Sequence, residues 1–172
     1  MKRDTILTIK LPRESGLEDY AVREPSRFAK PSKPFTRKAL AAAHVVADPL
    51  STKEPWLDAA IDWDATIAYR RHLWSWGFGV AEAMDTAQRG MGLDWQNSLE
   101  LIKKSVQESQ RFEGAVVASG AGTDHLPAGK KHSIDKVIAA YEEQCETIEK
   151  LGGRIILMAS RALCACAKSP EH

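Results

Sequence analysis

Four short apolar runs, residues 43–47, 79–83, 115–119 and 155–159, begin about 35 to 40 residues apart, and this repeat limits the possible folds more than any other feature of the chain. A polar or Gly-rich loop follows each run, and an amphipathic helix and a Gly separate one run from the next. Strands of a parallel sheet, buried on both faces, read as continuous apolar stretches. Parallel neighbours also need a crossover of a dozen residues or more, which this spacing supplies. The pattern therefore predicts an α/β sheet or barrel. Helices wound in one sequential direction by right-handed crossovers fall on one face, which is how a barrel is built. A doubly wound sheet is the alternative, but no Gly-x-Gly-x-x-Gly follows the first run, where Ala47-Asp-Pro-Leu50 stands instead.

The intervening helices have clear starts. Asp62 is placed to cap a helix carrying Trp63, Ile67 and Trp74 and closing at Gly77. Asp94 is placed to cap a second, with Trp95, Leu99, Ile102 and Val106 at helical spacing. Ser133 is placed to cap a third, with Ile134, Ile138, Tyr141, Cys145 and Ile148 on one side and Glu142, Glu143, Glu146 and Glu149 toward water. Gly152 and Gly153 stop it.

Four strands with helices on one side leave an inner sheet face and two edges uncovered. A closed (β/α)8 barrel needs eight strands and typically about 250 residues. The expectation is therefore the first half of a TIM (β/α)8 barrel over residues 35–172, incomplete at its C-terminus. It would be a fragment, a split subunit awaiting a C-terminal half, or a half-barrel that self-associates. Ahead of it, residues 1–34 read as a hairpin and linker. Residues 5–11 and 19–23 form the strands around a turn at Glu14-Ser-Gly16, followed by a Pro-rich connector.

The 24 basic and 23 acidic side chains nearly cancel, so no global field draws the chain to nucleic acid or to a membrane surface. The one skew is in residues 1–38, with ten Lys or Arg against five Asp or Glu. No apolar stretch is long enough to span a bilayer, no leader pattern opens the sequence, and the odd count of three cysteines argues against a disulfide framework. A cytoplasmic location is expected, with neither a nucleic-acid nor a membrane partner. Cys164-Ala-Cys166 lacks the spacing of a structural zinc site.

Barrel chemistry gathers at the C-terminal ends of the strands. The polar residues at those ends are His44 and Asp48, then Glu82, Asp85, Thr86, Gln88 and Arg89, then Gly122, Thr123, Asp124 and His125, then Ser160 and Arg161. Asp48 either caps its own loop or binds a ligand. Glu82, inside an apolar run, needs a partner or a function. Arg161 suits a carboxylate or phosphate, or else pairs with Glu82 or Asp85. Gly120-Ala-Gly122 permits close backbone approach to a ligand, or simply makes a turn. A divalent metal held by His44, Glu82, Asp85 and His125 is the alternative, with Asp124 as a further oxygen ligand; it would make the protein a metal-dependent sugar isomerase or aldolase.

The blocks Ala41-Ala-Ala-His-Val-Val-Ala-Asp-Pro49, Asp62-Trp-Asp-Ala-Thr66, Gly79-Val-Ala-Glu-Ala-Met-Asp-Thr-Ala-Gln-Arg-Gly-Met-Gly-Leu-Asp-Trp95 and Gly120-Ala-Gly-Thr-Asp124 resemble an uncharacterised bacterial family of the dihydrodipicolinate synthase and N-acetylneuraminate lyase superfamily. The resemblance implies a barrel about twice this length, with a strand lysine that forms a Schiff base with a keto acid or sugar-derived substrate. The reaction implied is aldol-type carbon–carbon cleavage or formation. No cofactor is expected. The lysine falls beyond residue 172, so this chain alone would be inactive and would supply binding groups: Asp48, Glu82, Asp85, Thr86, Gly122, Thr123, Asp124 and Arg161. Thr86 alone matches the superfamily's carboxylate loop, and Ser160-Arg161 stands where relatives place a catalytic tyrosine.

Overall fold

A computed structural model describes residues 7–23, 28–33, 35–54 and 57–171. It divides the chain into two compact units, residues 1–30 and 31–172, against the expected boundary at 34 and 35. In the first unit, β1 (Thr8–Arg13) pairs antiparallel with β2 (Gly16–Ala21), from Thr8 opposite Ala21 to Arg13 opposite Gly16. Glu14 and Ser15 alone make the turn, and Gly16 supplies a positive φ of 119°. A hairpin is present as expected, but β1 runs on to Arg13 and β2 spans Gly16–Ala21 in place of 19–23, since the turn takes only two residues; residues 5 and 6 of the expected first strand lie outside the described residues.

The second unit is built on β3 (Leu40–Ala42), β4 (Gly79–Glu82), β5 (Val117–Ala121) and β6 (Arg154–Leu157). All three pairings are parallel and the spatial order follows the sequence order, β3-β4-β5-β6. Between the strands run α1 (Trp63–Ser75), α2 (Trp95–Ser109) and α3 (Ile134–Lys150), and a short α4 (Arg161–Cys166) follows β6. The α/β reading thus holds at the level of a four-stranded parallel sheet with helices. Trp74 of α1, Leu101, Ile102 and Val106 of α2 and Ile148 of α3 join Val80 and Val117 in one buried cluster, so the three long helices share a face of the sheet.

Each long helix begins where its cap residue predicts. The side chain of Asp62 accepts from the Ala65 N–H at 2.9 Å, that of Asp94 from Asn97 at 2.8 Å, and that of Ser133 from Lys136 at 3.3 Å. Such caps contribute about 1 kcal/mol each.

The buried faces differ from the expected stripes. On α1 the buried positions are Thr66, Ile67, Arg70 and Trp74; on α2 they are Ser98, Leu101, Ile102, Ser105 and Val106. On α3 they are Val137, Ala140, Gln144 and Ile148, while Ile138 is exposed. Thr66, Arg70, Ser105 and Gln144 occupy the inward stripes because they bond groups at the strand ends, described below, whereas the Ser98 hydroxyl has no partner among the described residues.

The first strand also starts and stops three residues or more before the expected run. Beyond Ala42 the backbone leaves the sheet because α1 takes its polar groups: Arg70 Nη1 donates to the His44 carbonyl at 2.6 Å, and Thr66 Oγ1 accepts from the Val46 N–H at 2.9 Å. The third strand lies two residues later than its run, since the Ala115 N–H closes a turn on the Phe112 carbonyl at 3.1 Å. Among the described residues no helix is long and apolar enough to cross a membrane.

Candidate functional site

The polar groups at the C-terminal ends of the strands sort into three sets: one sealed beneath the helices, one that ties the loops together, and one that ends in an exposed arginine. The sealed set centres on Glu82. Its carboxylate turns toward the helices and receives both Nε and Nη2 of Arg70, at 2.9 and 2.8 Å. Ser105 Oγ at 2.6 Å and the Ala83 N–H at 2.9 Å complete its shell. Both charged side chains are fully buried. Arg70 also reaches the carbonyls of Ala43, His44 and Thr66. Glu82 therefore has its lone pairs filled and joins α1, α2 and β4 to the segment after β3; its pairing answers the cost of a charge inside an apolar run.

The second set is centred on Arg89, which reaches the end of β5 from the loop after β4. Its guanidinium donates to both oxygens of Asp124, from Nε at 3.1 Å and from Nη2 at 2.8 Å, and to the carbonyl oxygens of Gly120 and Ala83. Its fork lies 5.0 Å over the Trp95 ring. Gln144, fully buried on α3, completes the knot. Its carbonyl accepts from Arg89 and from the Gly122 N–H at 2.7 Å, and its amide donates to Asp124 at 3.2 Å and to His125 Nδ1 at 2.8 Å. With Nδ1 accepting, His125 carries its proton on Nε2, which faces Glu143 Oε2 at 3.4 Å. Burial pushes the Asp124 carboxyl upward, but the hydrogen bonds and charge of Arg89, with Gln144 and its own backbone N–H, outweigh this and hold it below the ordinary range.

The third set joins a buried pair of hydroxyls, Thr123 and Ser160, to an exposed arginine, Arg161. Thr123 Oγ1 and Ser160 Oγ meet at 2.5 Å, and Ser160 also caps α4 through the Leu163 N–H at 3.1 Å. Tyr141 comes up from α3 and donates to the Met158 carbonyl at 2.5 Å. Burial raises the pKa of its hydroxyl against a lowering hydrogen bond with Ser160. Arg161, the first residue of α4, is exposed and has no ion pair or hydrogen bond among the described residues. Its Nη2 lies 3.7 Å from where a side chain at Gly90 would begin. Neither of its expected internal partners is taken up: Glu82 is paired with Arg70, and Asp85 has no side-chain bond among the described residues.

The remaining sequence candidates separate. Asp48 is exposed and closes its own loop, accepting from the Leu50 N–H at 3.0 Å. Asp85 and Thr86 are exposed on a single 3-10 turn, Asp85–Ala87. Gly122 is buried with its N–H committed to Gln144. His44 is exposed and meets the Tyr69 ring at a tilt, with centroids 4.9 Å apart. Among the described residues no group of three or more His, Cys, Asp or Glu is placed to hold a metal, so His44, Glu82, Asp85 and His125 do not converge as ligands.

Sequence reasoning missed Arg70, Ser105, Tyr141 and Gln144 as members of these sets. The available clue was a polar residue inside the helical stripe, Thr66-Ile67-Arg70-Trp74 in α1 and Val137-Ala140-Gln144-Ile148 in α3.

Residues 9–172 match the family described as a protein of unknown function, DUF993, and the chain belongs to that family. No curated protein matches it.

Proposed function

We propose that this member of the DUF993 family forms the N-terminal half of a (β/α)8 barrel of the dihydrodipicolinate synthase type, and that it holds a small keto acid or sugar-derived acid at its strand ends. The observation that carries the reading is Arg161. Arg70 and Arg89 spend their donors inside the protein, whereas Arg161 stands exposed and unpaired among the described residues, directly after β6. A planar fork of that kind is suited to a carboxylate. The buried Thr123 and Ser160 hydroxyls bond each other, and Ser160 caps α4, so the helix start that carries Arg161 is held in place.

No lysine lies on β3, β4, β5 or β6. In this reading the chain binds and orients the acid, and the Schiff-base nucleophile belongs to the part of the barrel beyond these four strands. Isothermal titration with pyruvate is the test. Saturable binding is expected, weakened roughly tenfold or more by Arg161→Ala with thermal unfolding unchanged. Borohydride with pyruvate should leave the chain unmodified. An adduct on one of its own lysines, or binding indifferent to Arg161, would overturn the proposal.

Closure by further strands, from a C-terminal half or a second copy, is favoured by the two outer strands. Leu40 on β3 and Leu157 on β6 are 42% and 68% exposed, and each strand is paired along one edge only among the described residues. Light scattering on the purified chain tests this: a self-associated species supports closure by a second copy, and a well-folded monomer at all concentrations counts against it.

A further inference from the structure

The opposite end of the sheet carries a pocket that the strand-end site does not use. It has a volume of about 470 Å3 and opens beside Gly79 and Val116, where β4 and β5 begin. That size falls within the range of small-molecule sites. Its apolar wall is aromatic, made by Phe35, Trp76 and Phe78. The Phe35 ring rests on Gly77, where a Cβ would come within 3.2 Å of Cε2, and Gly77 has a positive φ of 84° that favours glycine. Phe35 and Phe78 meet at 6.0 Å between centroids, yet remain 52% and 38% exposed.

Three cations line the same pocket: Lys33, Arg37 and Lys38. They belong to the basic lead-in whose charge excess the strand-end site leaves unexplained. All three are exposed, and none has an ion pair or hydrogen bond among the described residues. Glu113 is the single carboxylate among the described lining residues. The indole N–H of Trp74, a further lining residue, is buried without a partner among the described residues.

We propose that this pocket binds a small planar ring carrying an anionic group, a phosphate or a carboxylate. Exposed aromatic faces favour a flat, apolar body, because ring–ring contact adds to the area removed from water. The three cations against one carboxylate favour a negative charge at its edge, and Arg37 offers a bidentate fork for it. An inorganic anion would forgo the rings, and a neutral ring would forgo the cations. The inference is independent of the reading at the strand ends, since the two sites lie at opposite ends of the sheet.

Isothermal titration of the full chain tests it, with adenosine 5′-monophosphate as the phosphate-bearing ring and indole-3-acetate as the carboxylate-bearing one. Inorganic phosphate and acetate are the ring-free controls. At least one ring anion is expected to bind at one equivalent per chain, roughly tenfold or more tighter than its control. The variant Arg37→Ala/Lys38→Ala should weaken that binding roughly tenfold or more, while Arg161→Ala leaves it unchanged. Should the double variant lose its unfolding transition, the exposed Lys33→Ala and Phe78→Leu replace it, each weakening the same binding. The proposal is overturned if neither ring anion saturates, if a ring-free anion binds as tightly, or if the folded pocket variants bind as the parent does.

Discussion

Replacing Arg70 with Met should be among the most damaging single changes available to this chain. The substitution keeps a long side chain on α1 but removes a guanidinium that donates twice to Glu82 and also reaches the carbonyls of Ala43 and His44. Glu82 would keep only Ser105 and the Ala83 N–H, with its charge sealed under the helices. Breaking a buried pair from one side costs about 3–5 kcal/mol, because the remaining charge is uncompensated. The Ala43 carbonyl, on a fully buried residue, adds about 1–3 kcal/mol; that of exposed His44 can turn to water and adds little. The sum, about 4–8 kcal/mol, rivals the whole stability of an ordinary domain, about 5–15 kcal/mol.

Urea unfolding followed by circular dichroism should therefore show the Arg70→Met transition moved to much lower denaturant or lost. The double variant Arg70→Met/Glu82→Leu removes both charges and should recover a large part of the loss, since an apolar replacement of a buried pair is often close to neutral. The cycle is informative because the two residues touch. A loss below about 1 kcal/mol for Arg70→Met, or a double variant no better than the sum of the singles, would refute the buried pair as the clamp between α1 and β4.

Asp124 gives a pH prediction. Its folded pKa is depressed, so its stabilising contribution is present above the unfolded value near 4 and is lost as the pH falls through the lower folded value. Thermal unfolding measured across the acid range should thus fall less steeply for Asp124→Asn than for the parent, and equal slopes would discount the Arg89 pairing. Gly120→Ala tests the packing at the end of β5. A Cβ there would lie 2.5 Å from Met158 Sδ, 2.9 Å from the Ala83 carbonyl oxygen and 3.1 Å from Met84 Sδ. The methionines can swing aside but the backbone oxygen cannot, so a loss of about 1–3 kcal/mol in chemical denaturation is expected; a neutral result would mean the two strand ends can separate freely.

What could be read from the sequence was set by local physics. Asp62, Asp94 and Ser133 announced three helix starts because a cap acts on the N–H groups of the next turn, within three residues of itself. The two central strands, β4 and β5, were visible as apolar runs because burial on both faces removes alternation. Strand limits were less legible because they depend on which distant group satisfies a given backbone atom. Ala43 to Val46 has the composition of a strand, yet Arg70 and Thr66, twenty or more positions later, take its carbonyls and an N–H. The face of α3 was misread for a related reason: Ile138 looks like core and Gln144 like surface until Arg89, His125 and the Gly122 N–H are known to converge on the latter.

The same long-range pairing explains why the sequence left two readings open at Glu82, Asp124 and Arg161 alike. Glu82, Asp124 and Arg161 are equally polar residues at strand ends, and composition gives no reason to separate them. Burial and partners do. Glu82 is exhausted by Arg70 and Ser105, and Asp124 is tied to Arg89 and Gln144. The first fastens α1, α2 and β4 to the segment after β3, and the second holds the loops after β4 and β5 in one arrangement. Arg161 is then left as an exposed arginine with no committed donor among the described residues, on a helix start held by the buried Thr123 and Ser160 pair. In the proposed reading, a free charge carried on a fixed backbone would seat an anionic ligand at little cost in ordering. For that reason the division between fastened and free polar groups, more than the number of polar residues, makes this end of the sheet the place to test for substrate.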